Sequence, residues 1–151
     1  TDISFFYDAG TATRGGVVCL DQLSASGAAM DQGGNKVSYQ AATTGDVPVG
    51  LLLNDVVNKD LTRTHLNQYK DEVQKGGKVT VLTRGWVVTN NVDGTPTPGN
   101  VAYASNSVAG SLSTTADDAV GSGNLAVGRF MSAKDADGYA KVYVNLPNFG
   151  A

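Results

Sequence analysis

The feature that most constrains the fold of this chain is a succession of short apolar or alternating segments, each closed by Gly, Pro, Asn or Asp. Segments this short suit strands better than helices, and the closing residues are those of turns. They are GVVCLD (16–21), KVSYQAA (36–42), DVPVGLLLND (46–55), KVTVLTRGWVVTNN (78–91), VAYAS (101–105) and AVGRFMSAKDADGYAKVYVNL (126–146). The pattern predicts a mainly β fold, a small barrel or sandwich of short antiparallel strands. A further brief strand is predicted within 111–114.

The acidic stretch DADG near the C-terminus is predicted to be a hairpin turn. An EF-hand calcium loop that placed Gly138 at position 6 would need oxygen ligands at positions 1 and 12. Those positions fall on Ala133 and Val144, which cannot ligate a cation. Asp137 and Gly138 instead form a dipeptide suited to the positive backbone dihedrals of a turn between two strands.

The segment 54–77 is polar, carries many charges and differs from the rest of the chain. Within it Leu66, Tyr69 and Val73 are spaced i, i+3, i+7, the spacing of one helical face. A threonine before this stripe and a glycine after it are suitable caps. The sequence therefore predicts one short helix over about 64–75.

Size and charge restrict the classes of function. The chain has 151 residues, which favours a single β domain over 1–151, and a net charge of −3 without a basic stripe, which argues against a nucleic-acid partner. No run of about 18 apolar residues is present, so no membrane partner is expected. The single cysteine, Cys19, excludes an intrachain disulfide and is predicted to be a small core residue; synthesis in a reducing host cytoplasm fits.

The N-terminal residues 1–13 contain the most aromatic stretch of the chain, at Phe5, Phe6 and Tyr7. Two interpretations remain open from the sequence. The stretch is either the first strand of the chain's own barrel or an extended arm that reaches another subunit.

The sequence contains no recognisable catalytic constellation. Neither a nucleophile elbow nor a phosphate-binding glycine loop is present. An enzyme or a metal site would have to rely on the single His65 with Asp60, Asp71 and Glu72, and one imidazole without a cysteine partner is a weak ligand set. We therefore expect no enzyme activity, no metal and no cofactor.

Trp86 follows a change of phase at Arg84 and Gly85, where the alternation predicts a β-bulge. A large core side chain is the default expectation for Trp86. The alternative is an exposed aromatic that binds sugar, with Tyr103 nearby.

From Gly45 onward the chain resembles head decoration (cement) proteins and related small structural proteins of tailed-bacteriophage virions. The motifs are GDVPVGLLLNDV, then GGKVTVLTRGWVVTNNV with TPGNVAYAS, and the ending AVGRFMSAKDADGYAKVYVNL. They cover about two-thirds of the chain, and the segment 54–77 exceeds the compact pattern of the smallest members. The N-terminal third matches only loosely.

The resemblance implies a virion protein that binds the outer surface of the assembled capsid, contacts the major capsid protein and reinforces the shell, commonly as a homotrimer. The alternative function is a carbohydrate- or host-binding module of a phage fibre or tail. Residues expected at the capsid or subunit contact come from the aromatic N-terminus and from the polar segment 54–77. They are Phe5, Phe6, Tyr7, Arg63, His65, Tyr69 and Lys70.

Overall fold

The predicted β architecture is confirmed in the computed structural model, which describes residues 5–7, 12–20, 36–39, 47–56, 72–73, 78–116 and 123–146. These residues form thirteen strands and no helix. The strands are β1 (Phe5–Tyr7), β2 (Ala12–Thr13), β3 (Val17–Leu20), β4 (Lys36–Tyr39), β5 (Pro48–Val56), β6 (Glu72–Val73), β7 (Lys78–Leu82), β8 (Arg84–Thr89), β9 (Val92–Asp93), β10 (Val101–Ala104), β11 (Leu112–Ser113), β12 (Ala126–Phe130) and β13 (Ala140–Asn145).

Five of the strands close into a barrel in the order β1-β4-β3-β5-β7. Neighbours are antiparallel except β1 and β4, which run parallel with Tyr7 opposite Val37. Closure leaves these strands without a free edge. Their buried apolar side chains form one core together with Ala12 of β2, which pairs with β6. This core contains Tyr7, Ala12, Val18, Val37, Leu52 and Val79.

The other large unit is a six-stranded sheet in the order β8-β13-β12-β10-β11-β9. Its strands show the alternation that the sequence predicted, since β13 buries Val142 and Val144 while Lys141 is exposed and Tyr143 is half-buried. Neighbouring strands of the sheet are antiparallel except β11 and β9, which run parallel. A largely antiparallel sheet with one face on a core and the other on solvent produces this alternation. The core residues that the sheet contributes are Val92, Ala102, Ala104, Leu112, Val127, Phe130, Ala140, Val142 and Val144, joined by Leu146 after β13.

Strands β3 and β5 connect the two cores. Val17 and Leu51 belong to the core of the six-stranded sheet, whereas the next residues, Val18 and Leu52, belong to the barrel core. Successive side chains of a strand point to opposite sides, so a strand between two cores is buried on both faces. The continuous apolar run of β3 follows from this position, and Cys19 is a buried core residue as predicted.

The hairpin predicted around Asp137 and Gly138 is confirmed. Strands β12 and β13 pair antiparallel, and Gly138 adopts a positive φ of 85°. Asp135 Oδ1 accepts hydrogen bonds from the backbone N–H groups of Asp137 at 3.0 Å and Tyr139 at 2.8 Å. The carboxylate therefore caps the turn.

The helix predicted over 64–75 is not confirmed. The two residues of this range that the structure describes, Glu72–Val73, form strand β6, with Val73 opposite Ala12. A β-branched valine suits a strand, and tertiary pairing overrides a three-residue helical stripe. The rest of the predicted helix lies outside the described residues. No helix in the described ranges has the length and hydrophobicity needed to cross a membrane.

The bulge predicted at Arg84 and Gly85 is also wrong, because β8 pairs with β13 through both residues without a shift of register. The change of phase in the sequence instead marks Thr83, which separates barrel strand β7 from sheet strand β8. Its carbonyl accepts a hydrogen bond of 2.8 Å from the Leu146 backbone. The chain thus passes from one sheet to the other at this residue.

Candidate functional site

Trp86 is exposed, contrary to the sequence prediction of a core side chain. Its side chain is 61% accessible, and that of Val88 is 59% accessible. Both lie on the side of β8 that faces away from the core, whereas Val87 packs against the core and Thr89 is buried. Because β8 is an edge strand of the six-stranded sheet in the described part of the chain, these apolar side chains lie at its rim.

Tyr143 lies at the centre of the surface that includes Trp86. The two rings are 5.2 Å apart between centroids, with an angle of 59° between their planes. Arg129, on β12, is paired with Tyr143, on β13. Arg84 Nε donates a hydrogen bond of 3.4 Å to the Tyr143 hydroxyl. Lys141 precedes Tyr143 by two residues and is opposite Val88. We call Arg84, Trp86, Val88, Arg129, Lys141 and Tyr143 the Tyr143 face.

The Tyr143 face carries three cationic groups and no carboxylate. Arg129 Nη1 donates a hydrogen bond of 2.6 Å to the Gly99 carbonyl. The hydrogen bond from Arg84 to the Tyr143 hydroxyl raises the pKa of the Arg84 guanidinium. The acidic side chains that the structure describes lie elsewhere, at Asp93 on β9 and in the β12–β13 turn. The described side chains of this surface therefore carry a net positive charge, although the whole chain has a net charge of −3.

A shallow depression of about 370 Å³ adjoins the ring of Tyr143. Its lining includes Val101 on β10 and Arg129 on β12, which are paired across the sheet, and Asn145 on β13. A concavity beside exposed aromatic and guanidinium groups matches the composition of protein contact surfaces, which are enriched in Trp, Tyr and Arg.

A second groove, of about 420 Å³, lies where the residues after β2 meet the end of β8. Its walls are tied together by hydrogen bonds, from Thr89 Oγ1 to the Gly15 carbonyl at 2.9 Å and from Asn91 Nδ2 to the Arg14 carbonyl at 3.0 Å. These contacts join the barrel to the six-stranded sheet. The lining of the groove combines polar residues, among them the cationic Arg14, with Tyr139 and Val88.

The structure places the predicted contact residues of the N-terminus in the barrel. Phe5, Phe6 and Tyr7 form β1, in which Tyr7 is buried and both phenylalanines are half-buried. The sequence left open whether this stretch is a barrel strand or an arm that reaches another subunit. Residues 5–7 form a barrel strand, paired with β4 and β7. The other predicted contact residues lie outside the described part of the chain: Arg63, His65, Tyr69 and Lys70.

No cluster of three or more His, Cys, Asp or Glu side chains suited to a metal ion occurs among the described residues. His65, Asp60 and Asp71, which the sequence singled out, lie outside them. The exposure of Trp86 was the alternative that the sequence left open, whereas the rest of the Tyr143 face was not predicted. Its signal was present in KVYVN, where a charged and an aromatic residue alternate with two valines, the pattern of a sheet with one solvent face.

Comparison with known proteins gave two findings. A family model described as structural cement protein (E217 gp24/Pam3 gp6) matches residues 5–145. A chain of the solved structure titled "The capsid of Myoviridae Phage XM1" superposes with a TM-score of 0.59 at 15% identity, over 94% of this chain and 81% of that chain. At this identity the structural match shows a shared fold. No curated protein sequence matches significantly.

Proposed function

Because the chain belongs to the structural cement protein family of phages, we propose that it binds the outer surface of an assembled bacteriophage capsid and stabilises the shell. The partner is the major capsid protein, the bound form is a homotrimer, and the location is the virion. The observation that carries this proposal is the family match over residues 5–145. The fold shared with a chain from the capsid of phage XM1 supports it.

Binding alone accounts for such a function. A protein that binds the assembled lattice and not the free subunits stabilises the lattice by RT ln(1 + [L]/Kd) at every site, and many sites add their effects. This work needs a firm scaffold and an adhesive surface. The two apolar cores support the first requirement, and the exposed aromatic and cationic groups of the Tyr143 face support the second. We accordingly propose that the protein is not an enzyme and makes or breaks no bond.

The proposal is tested with capsids of the encoding phage prepared without this protein. The purified chain is mixed with these shells and, separately, with unassembled major capsid protein, and co-sedimentation and the temperature of shell disruption are measured. We expect saturable binding to shells, at a fixed ratio to the major capsid protein, and a higher disruption temperature. Absence of binding, or binding to free subunits alone, would contradict the proposal.

The homotrimer is tested separately by light scattering of the free chain and by the stoichiometry of the bound chain. A trimer predicts three copies per occupied position on the shell, whether it forms in solution or on the lattice. One or two copies per position would refute the trimer without affecting the capsid-binding proposal.

A second candidate function is favoured by the exposure of Trp86 against Tyr143. Exposed aromatic rings are suitable platforms for sugars, so the chain would then be a glycan-binding module of a fibre or tail. Binding on a glycan array that disappears in Trp86→Ala, together with failure to bind shells, would favour this alternative. Shell binding without a glycan signal would favour the cement function.

A further inference from the structure

We propose that the Tyr143 face is the surface that docks on the shell, and that its counterpart there is a patch of Asp and Glu carboxylates on the major capsid protein. This inference rests on the proposed cement function and adds to it the orientation of the molecule and the chemistry of the contact. It places the six-stranded sheet toward the shell, with the barrel behind it.

Charge complementarity is the first argument. Arg84, Arg129 and Lys141 share one face of a three-strand surface formed by β8, β13 and β12. Among the described residues, Arg84 contacts a phenol and Arg129 a backbone carbonyl, so neither guanidinium is neutralised by a carboxylate there. Like charges placed together on an otherwise acidic chain repel one another, and a surface of carboxylates relieves that repulsion.

The nature of the apolar groups is the second argument. Trp86 and Val88 are the most exposed large hydrophobic side chains among the described residues, at 61% and 59%. They lie next to Tyr143 and Lys141 respectively in the register of β8 and β13. Burial of a Trp–Tyr pair supplies the dry centre of a contact, and the surrounding cations supply its polar rim.

The shape of the face is the third argument. The depression of about 370 Å³ beside Tyr143 is lined by Arg129 and Asn145, side chains that donate hydrogen bonds. A carboxylate that enters it would meet a guanidinium able to form a bidentate pair and an amide N–H. The apolar pair Leu20 and Val47 on the barrel is less exposed than Trp86 and Val88, at 43% and 46%.

The test measures equilibrium binding of variants to shells that lack this protein. Arg129→Glu and Lys141→Glu reverse charge on the Tyr143 face, and Trp86→Ala removes its largest apolar group. Lys78→Glu and Leu20→Ala are the matched controls, because Lys78 and Leu20 are exposed on the barrel. Thermal unfolding of each variant confirms that it folds. Arg129→Glu also removes the hydrogen bond from Arg129 to the Gly99 carbonyl, so Lys141→Glu serves as the charge reversal that leaves this bond in place.

We expect each variant of the Tyr143 face to raise the Kd by about tenfold or more, and each control to change it by less than about threefold. Binding of the wild-type chain should weaken with added salt, and Lys141→Glu should reduce that salt dependence, since one attractive charge becomes repulsive. A shell variant with neutralised surface carboxylates should bind the wild-type chain more weakly.

Other outcomes separate the two proposals. If the wild-type chain binds shells and the Tyr143 variants bind equally well, the inference is overturned and the cement function stands. If the variants change the oligomeric state in solution while the controls do not, the face is a contact between copies of this chain and the inference is again overturned. If the wild-type chain does not bind shells, the cement function fails, and the inference with it.

Discussion

Tyr7 and Tyr39 pack edge to face in the barrel, with ring centroids 6.2 Å apart and an angle of 71° between the rings. The Tyr39 hydroxyl accepts a hydrogen bond from the Thr13 backbone N–H and donates one to the Thr13 carbonyl. It also forms a hydrogen bond of 2.9 Å with Thr13 Oγ1. The Tyr39 hydroxyl thus links β2 to the barrel. Because the hydroxyls of Tyr7 and Tyr39 can both lose a proton, the free energy of unfolding should depend on pH.

Alkaline pH is expected to destabilise the fold. Burial, followed in size by the nearby Tyr39, raises the pKa of Tyr7 from 10.0 to about 12, and burial also raises the pKa of Tyr39. A raised folded-state pKa means that stability is complete below the unfolded value and is lost as pH rises through the folded value. Between pH 10 and about pH 12, Tyr7 alone should cost about 2 kcal/mol of unfolding free energy.

Urea unfolding at pH values across this window measures the effect. Tyr7→Phe is the control, since it keeps the ring and removes the titrating group. Its unfolding free energy should fall less steeply with pH than that of the wild type. Identical slopes in the two proteins would contradict the assignment.

Among the elements, the β12–β13 pair shows most clearly how sequence determines structure. Gly128 lies opposite Val144, and a Cβ at this position would lie 2.0 Å from the Tyr143 carbonyl oxygen. Because a backbone atom cannot move aside cheaply, only glycine allows these two strands their observed separation. The same pair carries Tyr143, so its spacing also sets the position of the Tyr143 face.

Gly128→Ala is therefore expected to lower the unfolding free energy by about 1–3 kcal/mol or more, through forced separation of β12 and β13. Gly138→Asn is the matched control, because nothing lies within 4 Å of a Cβ there and Asn tolerates its positive φ of 85°. The control should cost less than about 1 kcal/mol. Chemical denaturation compares the two variants, and equal losses would argue against the close approach at Gly128.

At this scale the sequence predicted much of the fold. An apolar run placed the strand at Val17–Leu20 close to where it lies, and alternation bounded by turn residues did the same for Val101–Ala104, Ala126–Phe130 and Ala140–Asn145. Alternation also separates the two faces of a strand, but it does not say which face meets the core when both carry large side chains. In β8, Trp86 and Val88 on one face compete with Val87 and Thr89 on the other, and only packing against β13 and the core decides.

Long-range pairing could not be predicted. The parallel contact of β1 with β4 joins Tyr7 to Val37 across 29 intervening residues, and no local pattern encodes it. The two-residue strand β6 owes its conformation to β2, about 60 residues earlier in the chain, so its local helical spacing was misleading. The Tyr143 face is built from three strands, β8, β12 and β13. Alternation predicted these strands one by one, and the turn at Gly138 predicted the β12–β13 hairpin, but no local pattern predicted that β8 pairs beside β13.

In the whole molecule, two cores meet along β3 and β5, where neighbouring side chains point into different cores. Because β3 and β5 each contribute side chains to both cores, the barrel and the six-stranded sheet should unfold as one cooperative unit. Leu52→Ala in the barrel core and Phe130→Ala in the sheet core should each cost about 2–5 kcal/mol. Both should shift the same transition.

Far-ultraviolet circular dichroism and the fluorescence of Trp86, followed together during urea unfolding, test this cooperativity. Trp86 reports on the sheet, while circular dichroism reports on all strands. Coincident transitions in the wild type and both variants are expected. Two separated transitions would show that the barrel and the sheet fold independently.

We propose that a two-core scaffold with a sheet face of exposed aromatic and cationic groups is the physical basis of the cement function. The most direct measurement is an electron cryomicroscopy map of shells reconstituted with the purified chain. We predict density on the outer surface at regular lattice positions, with Trp86 and Tyr143 against the shell and the barrel facing solvent. Absence of lattice-ordered density would contradict the cement function, and density with the barrel against the shell would contradict the docking face.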